Sequence, residues 1–365
     1  MPVPLDEYPI HQTPLSMAYV GTSDRNFYDR CYFNAHPRSG ELFLVTGLGV
    51  YPNLGVIDAY ATVRQGDQQH SVRFSGVLGD ERLEQRVGPY RIEVLEPLRR
   101  VRLVCDGDEH GLGFDLTWTG GFPAVQEPQH LIRAGARTFL DTSRFAQVGT
   151  WTGELRVDGT GHQVADWVGT RDRSWGIRPV GDPDPSTPPP AEVMQGFWWT
   201  YVPLQFAEFA VVIIAQESPD GFRTLNDAVR VWPDGRVEQL GWPRFEIVYR
   251  SGTRLPERAT IHLTTPAGTP FAIGIETLTA VALNVGCGYG GDPDWTHGQS
   301  RGENYAEGAT YDLTDPTVAG RLPYGVIDHA ARAVCDGAEG WGLFEHASFG
   351  RHDPSGFADW SAVAR

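Results

Sequence analysis

The segment GTRDRSWGIRP, residues 169–179, combines acidic, basic and aromatic side chains in a pattern that could support acid catalysis. If the segment ends a strand, period-two alternation sends Asp172 to one face and both Arg171 and Arg173 to the other. A carboxyl group that faces an apolar cavity has a raised pKa and can donate a proton near neutral pH. Asp172 is therefore the first candidate for a general acid.

The same alternation extends over the whole stretch QVADWVGTRDRSWG and divides its side chains between the two faces of the strand. One face receives Val164, Asp166, Val168, Thr170, Asp172 and Ser174, and the other receives Trp167, Arg171, Arg173 and Trp175. In a purely structural interpretation, Asp172 accepts hydrogen bonds that fix the end of a barrel, and Trp175 closes that end. Spacing alone favours the structural role, and the catalytic role stays open beside it.

Two aromatic clusters could line a cavity near this acid. They are FYDRCYF (27–33) and GFWWTYVPLQF (196–206). Core packing explains most such clusters, but a pocket for a large apolar ligand needs the same side chains, and aromatic faces stabilise cations. The candidate substrate-binding residues are Tyr28, Trp175, Trp198, Trp199, Tyr201 and Tyr305.

Three motifs together resemble a known family: Arg-Asp-x-Ser-Trp-Gly at 171–176, GFWW at 196–199 and GLFEHASFGRHDPSGF at 342–357. The sequence is similar to the carotenoid 1,2-hydratase (hydroxyneurosporene synthase) and AttH-like group, over most of residues 20–357. This resemblance implies two lipocalin-like (calycin) antiparallel β-barrel domains in tandem. In the hydratases an Asp-His pair precedes the Trp-Gly, and here Arg173 stands at the position of that histidine.

The resemblance also implies a reaction. Asp172 would protonate an alkene, nearby Trp175, Trp198 or Tyr28 would stabilise the carbocation, and water would complete the addition. Reversal gives dehydration, and capture of the cation within the molecule gives cyclisation or isomerisation. We expect no cofactor for any of these reactions.

Other motifs are weaker candidates. Glu303 is a second choice for the acid, because Tyr305 and the preceding glycine-rich loop could shape the mouth of a pocket. GCGYGG (286–291) satisfies a dinucleotide-binding pattern but lacks the surrounding βαβ unit, so we interpret it as a flexible loop. Alternation puts Glu345 and His346 on opposite faces of a strand, and no compact ligand spacing predicts a metal site.

The elements that carry these residues are predicted to be strands. Short segments rich in Val, Ile, Thr, Phe, Tyr and Trp alternate with turns, which is typical of an all-β sandwich or barrel. Asp-Gly marks a predicted hairpin in both RLVCDGDEHGLGF (102–114) and RAVCDGAEGWGLF (332–344). The proline-rich stretch 181–193 divides the chain into an N-terminal domain, 1–180, and a C-terminal domain, 194–365.

Composition limits the partners. A net charge of -16 argues against binding nucleic acid through general electrostatics. A start without a secretory signal, and the lack of a long apolar stretch, predict a cytoplasmic protein without stable membrane insertion. The four cysteines are widely spaced, which favours free thiols. The oligomeric state stays open.

Two functions remain at this stage. The first is a cofactor-independent hydratase/lyase or isomerase that uses acid catalysis on a hydrophobic terpenoid-, steroid- or polyketide-like substrate. The second is a non-catalytic carrier or binding protein for an apolar small molecule. A carrier needs only the cavity, whereas the enzyme also needs a buried acid beside it.

Overall fold

The protein is built almost entirely from antiparallel strands, which confirms the all-β prediction. The structure is a computed structural model that describes residues 2–10, 15–183, 195–293 and 295–365. Most of the predicted linker 181–193 therefore lies outside the described residues. The boundaries of the two predicted domains stay a prediction.

Among the described residues, twelve strands precede the proline-rich stretch: β1 Phe27–Ala35, β2 Leu42–Tyr51, β3 Val56–Gln65, β4 Gln68–Val77, β5 Gln85–Val87, β6 Tyr90–Glu96, β7 Arg100–Cys105, β8 Leu112–Gly120, β9 Val125–Gln126, β10 His130–Ala134, β11 Arg137–Val157 and β12 Thr160–Ile177. Ten follow it: β13 Gly196–Phe206, β14 Ala210–Glu217, β15 Arg223–Val231, β16 Val237–Gln239, β17 Arg244–Tyr249, β18 Pro256–Thr264, β19 Pro270–Ala282, β20 Tyr305–Asp312, β21 Ile327–Cys335 and β22 Ala338–Gly350.

These strands form two curled sheets. The first has the order β20-β4-β3-β2-β1-β12-β11-β8-β7-β6-β5, with β9 and β10 paired to β11, and the second has the order β16-β15-β14-β13-β22-β21-β19-β18-β17. The first sheet bends until β5 approaches β3 and β4. β20 comes from the C-terminal half of the sequence but pairs with β4, from Tyr305↔Ser75 to Asp312↔Gln68. The two halves of the chain thus share a sheet.

Helical segments are short and lie between strands. The helix α1 spans Pro316–Ala319, and 3-10 turns span Pro4–Glu7, Pro52–Leu54, Asp108–His110, Leu322–Tyr324 and Asp353–Ser355. Among the described residues, none of the helices has the length and apolar composition that crossing a membrane requires.

Both predicted Asp-Gly hairpins are present. β7 pairs with β8 up to Cys105↔Phe114, and β21 pairs with β22 up to Cys335↔Ala338. At the second turn Asp336 has φ of 49° and Gly337 has φ of 82°. A two-residue hairpin turn of this hand needs positive φ at both positions, which Asp-Gly tolerates.

The three largest hydrophobic clusters among the described residues hold the sheets. One fills the curl of the first sheet around Phe74, Trp118 and Trp151, and one lies within the second sheet around Ile213 and Ile261. The third core joins side chains of both sheets, such as Tyr32 and Val148 from the first and Trp199 and Leu343 from the second. The two sheets therefore pack against each other through a shared apolar layer.

Alternation along β12 holds at its C-terminal end and fails at its start. Arg171 and Arg173 form buried ion pairs on one face, while Asp172 and Ser174 line a cavity on the other. The pairing of β11 and β12 shifts register between Trp151 and Thr152, opposite Asp166, which has φ of 52°. This bulge returns Val164 to the same core as Trp167, so the predicted face of Val164 was wrong.

Candidate active site

A cavity of about 340 Å³ lies where the two sheets meet, and we call it the central cavity. Its walls come from β1, β10, β11 and β12 of the first sheet, from β13 and β22 of the second, and from the segments around Leu283, Tyr289 and Val326. The lining residues are Tyr28, Arg30, Tyr32, His130, Ile132, Phe139, Leu140, Thr142, Arg144, Asp172, Ser174, Arg178, Pro179, Phe197, Trp199, Leu283, Tyr289, Val326 and Glu345. Neither sheet alone could form it.

Asp172 projects into this cavity from β12, and Tyr32 of β1 is its neighbour in the sheet. Burial raises the pKa of the Asp172 carboxyl to about 7, since the Arg144 cation only partly offsets the lost hydration and the Glu127 and Glu345 charges oppose ionisation. Among the described residues, no hydrogen bond or ion pair fixes the carboxyl. A group with this pKa is divided between its acid and base forms near neutral pH.

Arg144 supplies the main charge that favours ionised Asp172. Its Nε donates to Oε2 of Glu127 at 2.6 Å, and its guanidinium lies 4.7 Å from the ring centroid of Tyr201 and 5.5 Å from that of Trp199. Because Arg144 is engaged by Glu127, it stabilises ionised Asp172 only in part. Burial and the Glu127 carboxylate raise the pKa of Tyr201, so its hydroxyl stays protonated.

A second acidic group meets the same cavity from the other sheet. Asp328 of β21 and Glu345 of β22 are directly opposite in register. Tyr32 donates its hydroxyl hydrogen to Oδ2 of Asp328 at 2.5 Å, and the Trp199 indole N–H donates to Oε1 of Glu345. Burial and the adjacent Glu345 raise the pKa of Asp328 well above its usual range. Three carboxyl groups, including Asp172, thus act on one another.

His130 lies across the cavity, with its ring stacked on Trp199 at a centroid distance of 5.8 Å. Burial and the Arg144 charge lower the pKa of His130 to about 4, so the imidazole is neutral at pH 7. The histidine that the family pattern puts after the aspartate would have no access here. Arg173 occupies that position, on the face opposite Asp172, where its Nε donates to Asp29 at 2.9 Å.

Three of the residues predicted from sequence lie at the central cavity: Asp172, Tyr28 and Trp199. Tyr201 is buried directly behind Arg144. Trp198 faces the other way, towards a separate cavity of about 630 Å³, and stacks on His352 at 5.4 Å.

The remaining predicted residues are placed elsewhere. Trp175 follows Ser174 on β12, so alternation turns it away from the central cavity, which it does not line. Glu303 is exposed at the edge of the first sheet. Tyr305 is on the same edge, where its hydroxyl donates to Oε2 of Glu307 at 2.6 Å.

Sequence reasoning gave no role to several residues that line the cavity. Arg30 and Tyr32 are two of them. They follow the predicted residue Tyr28 at intervals of two along β1, and this alternation was the available signal for their common face. Tyr289 comes from the GCGYGG segment, which forms a loop without a βαβ unit. No local pattern indicates that such a loop reaches a cavity formed by strands far away in the chain.

The described residues contain no group of three or more His, Cys, Asp or Glu side chains arranged to hold a metal ion. All four cysteines are buried free thiols, as predicted. The expectation that no cofactor is needed stays a prediction.

Comparisons with known proteins give the fold and the family. No curated protein matches the sequence. A protein from Nitrosomonas europaea provisionally assigned as AttH has a similar structure, with a TM-score of 0.55, 13% identity, and coverage of 95% of this chain and 98% of that one. CghA, solved with Sch210972, has a TM-score of 0.51 and 13% identity over 88% of each chain.

Kievitone hydratase from Nectria haematococca gives a TM-score of 0.49 and 13% identity, covering 97% of this chain and 95% of that one. The similarity to the AttH protein agrees with the predicted double-lipocalin-like fold. At the level of sequence, residues 3–358 match one family over nearly the whole chain. The chain therefore belongs to the Family of unknown function (DUF8625).

Proposed function

We propose that this protein is a hydratase/lyase or isomerase that protonates an unsaturated, hydrophobic small molecule held in the central cavity. The observation that carries the proposal is the raised pKa of Asp172, about 7, at a carboxyl that lines the cavity. A general acid works best when its pKa is close to the pH at which it acts. The substrate class we favour is terpenoid-, steroid- or polyketide-like.

The cavity walls suit such a substrate. Ile132, Leu140, Leu283, Val326 and Phe197 provide apolar surface. Tyr28, Trp199 and Tyr289 add aromatic faces, which favour a developing carbocation. Apolar walls with a few convergent polar groups are typical of sites for small organic ligands.

The proposed reaction uses only groups at the cavity and water. The alkene π electrons form a C–H bond with the Asp172 proton, which leaves Asp172 as a carboxylate and places positive charge on the other alkene carbon. A water oxygen then forms a C–O bond to that carbon and releases a proton to the Glu345 carboxylate. Proton exchange from Glu345 to Asp172 restores the starting state, so the sum is alkene plus water giving alcohol.

The same cation can follow other routes. Loss of a different proton gives an isomer, and the reversed sequence dehydrates an alcohol. Glu345 is positioned for the base role because its Oε1 is held by the Trp199 indole while its carboxylate faces the cavity. None of these steps calls for a cofactor.

The test compares Asp172→Asn with Asp166→Asn, an exposed acid on the same strand. The small molecule that copurifies with the wild-type protein is identified by native mass spectrometry, and its conversion is followed over time. We expect Asp172→Asn to lose about 100-fold or more of the turnover rate and to keep its affinity, since general acids contribute about 10²–10⁴-fold. Asp166→Asn should behave as wild type.

Unchanged turnover in Asp172→Asn would remove Asp172 as the acid. A bound molecule that wild-type protein never alters would instead favour the second function, a carrier for an apolar ligand. The aromatic lining of the central cavity supports that alternative, because a binding protein needs only the walls.

A further inference from the structure

Two arginines at the outer end of the central cavity have no acidic partner. Arg30 on β1 is 5% exposed, and Arg178 follows the end of β12. Both also line a second cavity of about 350 Å³, the outer cavity, which continues past Phe139 and Tyr289 towards the loop at Thr296 and His297. The two arginines thus stand where the inner and outer spaces meet.

Their surroundings are aromatic. The Arg30 guanidinium is 4.6 Å from the ring centroid of Tyr289 and 5.7 Å from that of Tyr28. The Arg178 guanidinium is also 5.7 Å from the Tyr28 ring. Burial and the nearby Arg30 charge lower the pKa of Arg178, which shows that each cation feels the other.

Three other arginines of the first sheet are each neutralised by a carboxylate. Arg171 binds Glu7 at 2.6 Å, Arg173 binds Asp29 at 2.9 Å, and Arg144 binds Glu127 at 2.6 Å. Among the described residues, no carboxylate lies within ion-pair distance of Arg30 or Arg178. A buried charge without a counter-charge costs several kcal/mol, on the order of the penalty for breaking a buried ion pair.

The nearby acids do not supply the missing charge. Asp172 is protonated in a large fraction of molecules near neutral pH. Asp182 lines the outer cavity, where its Oδ1 accepts a hydrogen bond from the Gln299 amide at 2.8 Å, and among the described residues it forms no ion pair with Arg30 or Arg178. The net charge of the protein is -16, so a cationic pair at this position forms a local site for anions within a negative overall field.

We propose that Arg30 and Arg178 bind the acidic head group of the substrate, so that the ligand is an amphipathic organic carboxylate whose apolar body lies in the central cavity. This inference rests on the proposed function and makes its substrate class narrower. Arginine suits this role because its planar guanidinium donates two parallel hydrogen bonds to a carboxylate.

The geometry also orients the ligand. Arg30 pairs with Ser174 and Tyr32 pairs with Asp172 across the same two strands. Two residues along a strand span about 7 Å, so the head group bound by Arg30 lies about 7 Å along the strand direction from the Asp172 carboxyl. The reacting double bond therefore lies a few bonds from the carboxylate, and the remaining apolar part extends past Phe197 and Trp199.

The test uses a matched pair of probes, naphthaleneacetate and naphthaleneethanol, measured by isothermal titration calorimetry on the full-length protein. In wild type we expect the carboxylate to bind about tenfold or more tightly than the alcohol, as charge-assisted hydrogen bonds allow. Arg30→Gln and Arg178→Gln should reduce that ratio to about threefold or less and leave affinity for the alcohol unchanged. Arg30→Lys should retain part of the preference because it keeps the charge.

The control is Arg25→Gln, which lines only the outer cavity and hydrogen-bonds to the Asp182 carbonyl. It should keep the wild-type ratio. Equal binding of the two probes by wild type, or no binding of the carboxylate, would overturn the inference even if a glutamine variant fails to fold. The inference would also be overturned if both glutamine variants kept the wild-type ratio of carboxylate affinity to alcohol affinity.

Asp172→Asn separates this inference from the proposed function. It should keep the preference for the carboxylate while turnover is lost. Turnover that survives Asp172→Asn would reject the acid mechanism and leave the anion site intact. Loss of turnover in Asp172→Asn together with equal probe affinities in wild type would reject the anion site and leave the acid mechanism intact.

Discussion

At the scale of single residues, Asp172 and Asp29 show that the surroundings of an aspartate carboxyl decide its role within one fold. Asp29 faces the interior of the first sheet, where Arg173 binds it at 2.9 Å. Asp172 faces the central cavity, where burial prevails over the attraction of Arg144 and raises its pKa to about 7. One carboxyl is therefore a structural anion, and the other is available to exchange a proton.

This difference predicts opposite effects of the same substitution on stability. The unfolded state ionises Asp172 near its ordinary pKa of 3.8, whereas the folded state keeps the proton until about 7. Folding stability contributed by this group is therefore lost as the pH rises between these values and stays lost above them. We expect Asp172→Asn to raise the free energy of unfolding at pH 8 by about 1–2 kcal/mol. This value is below the one that the full pKa shift would give, because the Asp172 side chain is only half-buried.

Urea unfolding at pH 8 and at pH 4 would measure the effect, which should nearly vanish at the lower pH. The control is Asp29→Asn, which strands Arg173 and should lower the free energy of unfolding by about 3 kcal/mol at pH 8. Destabilisation by Asp172→Asn at pH 8 would contradict the assignment of a raised pKa.

At the scale of elements, β12 connects the core of the first sheet with the site. Its inward face carries Arg171, which binds Glu7 from the N-terminal 3-10 turn, and its outward face carries Asp172. Simple alternation in the sequence predicted this division correctly near the end of the strand. It failed at Val164, because a bulge depends on the register with β11, and the sequence of one strand does not contain that information.

The ion pair between Glu7 and Arg171 should contribute to holding β12. Both side chains are nearly inaccessible, at 4% and 2% exposure, and Glu7 also accepts the Leu98 backbone N–H at 2.8 Å. We expect Glu7→Gln to lower the free energy of unfolding by about 3 kcal/mol, because it leaves a buried arginine without its counter-charge.

Glu246→Gln is the matched control, since Glu246 pairs with Arg244 at the surface. It should leave the free energy of unfolding nearly unchanged, because water screens an exposed ion pair. Equal effects of the two substitutions in chemical denaturation would show that the Glu7 pair does not anchor β12.

At the scale of the whole molecule, the site exists because two sheets meet. Strand composition and turn signals were sufficient to predict an all-β fold, and alternation in the central motif predicted that Asp172 lies on the face opposite Arg171 and Arg173. The sequence did not indicate that Glu345 would face the same cavity as Asp172, or that Tyr289 would enter from a loop. Such contacts join residues more than a hundred positions apart, which local periodicity cannot reveal.

The pairing of β20 with a strand from the N-terminal half of the chain links the folding of the two halves. β20 pairs with β4 of the first sheet, and Tyr32 donates to Asp328 across the interface between the sheets. We therefore expect the two halves to unfold in one cooperative transition. Far-ultraviolet circular dichroism and tryptophan fluorescence should give coincident urea curves, whereas two separated transitions would indicate independent domains.

The central claim is that Asp172 holds a proton near neutral pH. Carbon-13 NMR of aspartate side-chain carboxyls, with Asp172→Asn to assign the resonance, measures this directly. We expect a carboxyl resonance that titrates with a pKa of about 7 in the wild-type protein and is absent from the variant. A resonance for Asp172 that titrates near the ordinary value of 3.8 would contradict it.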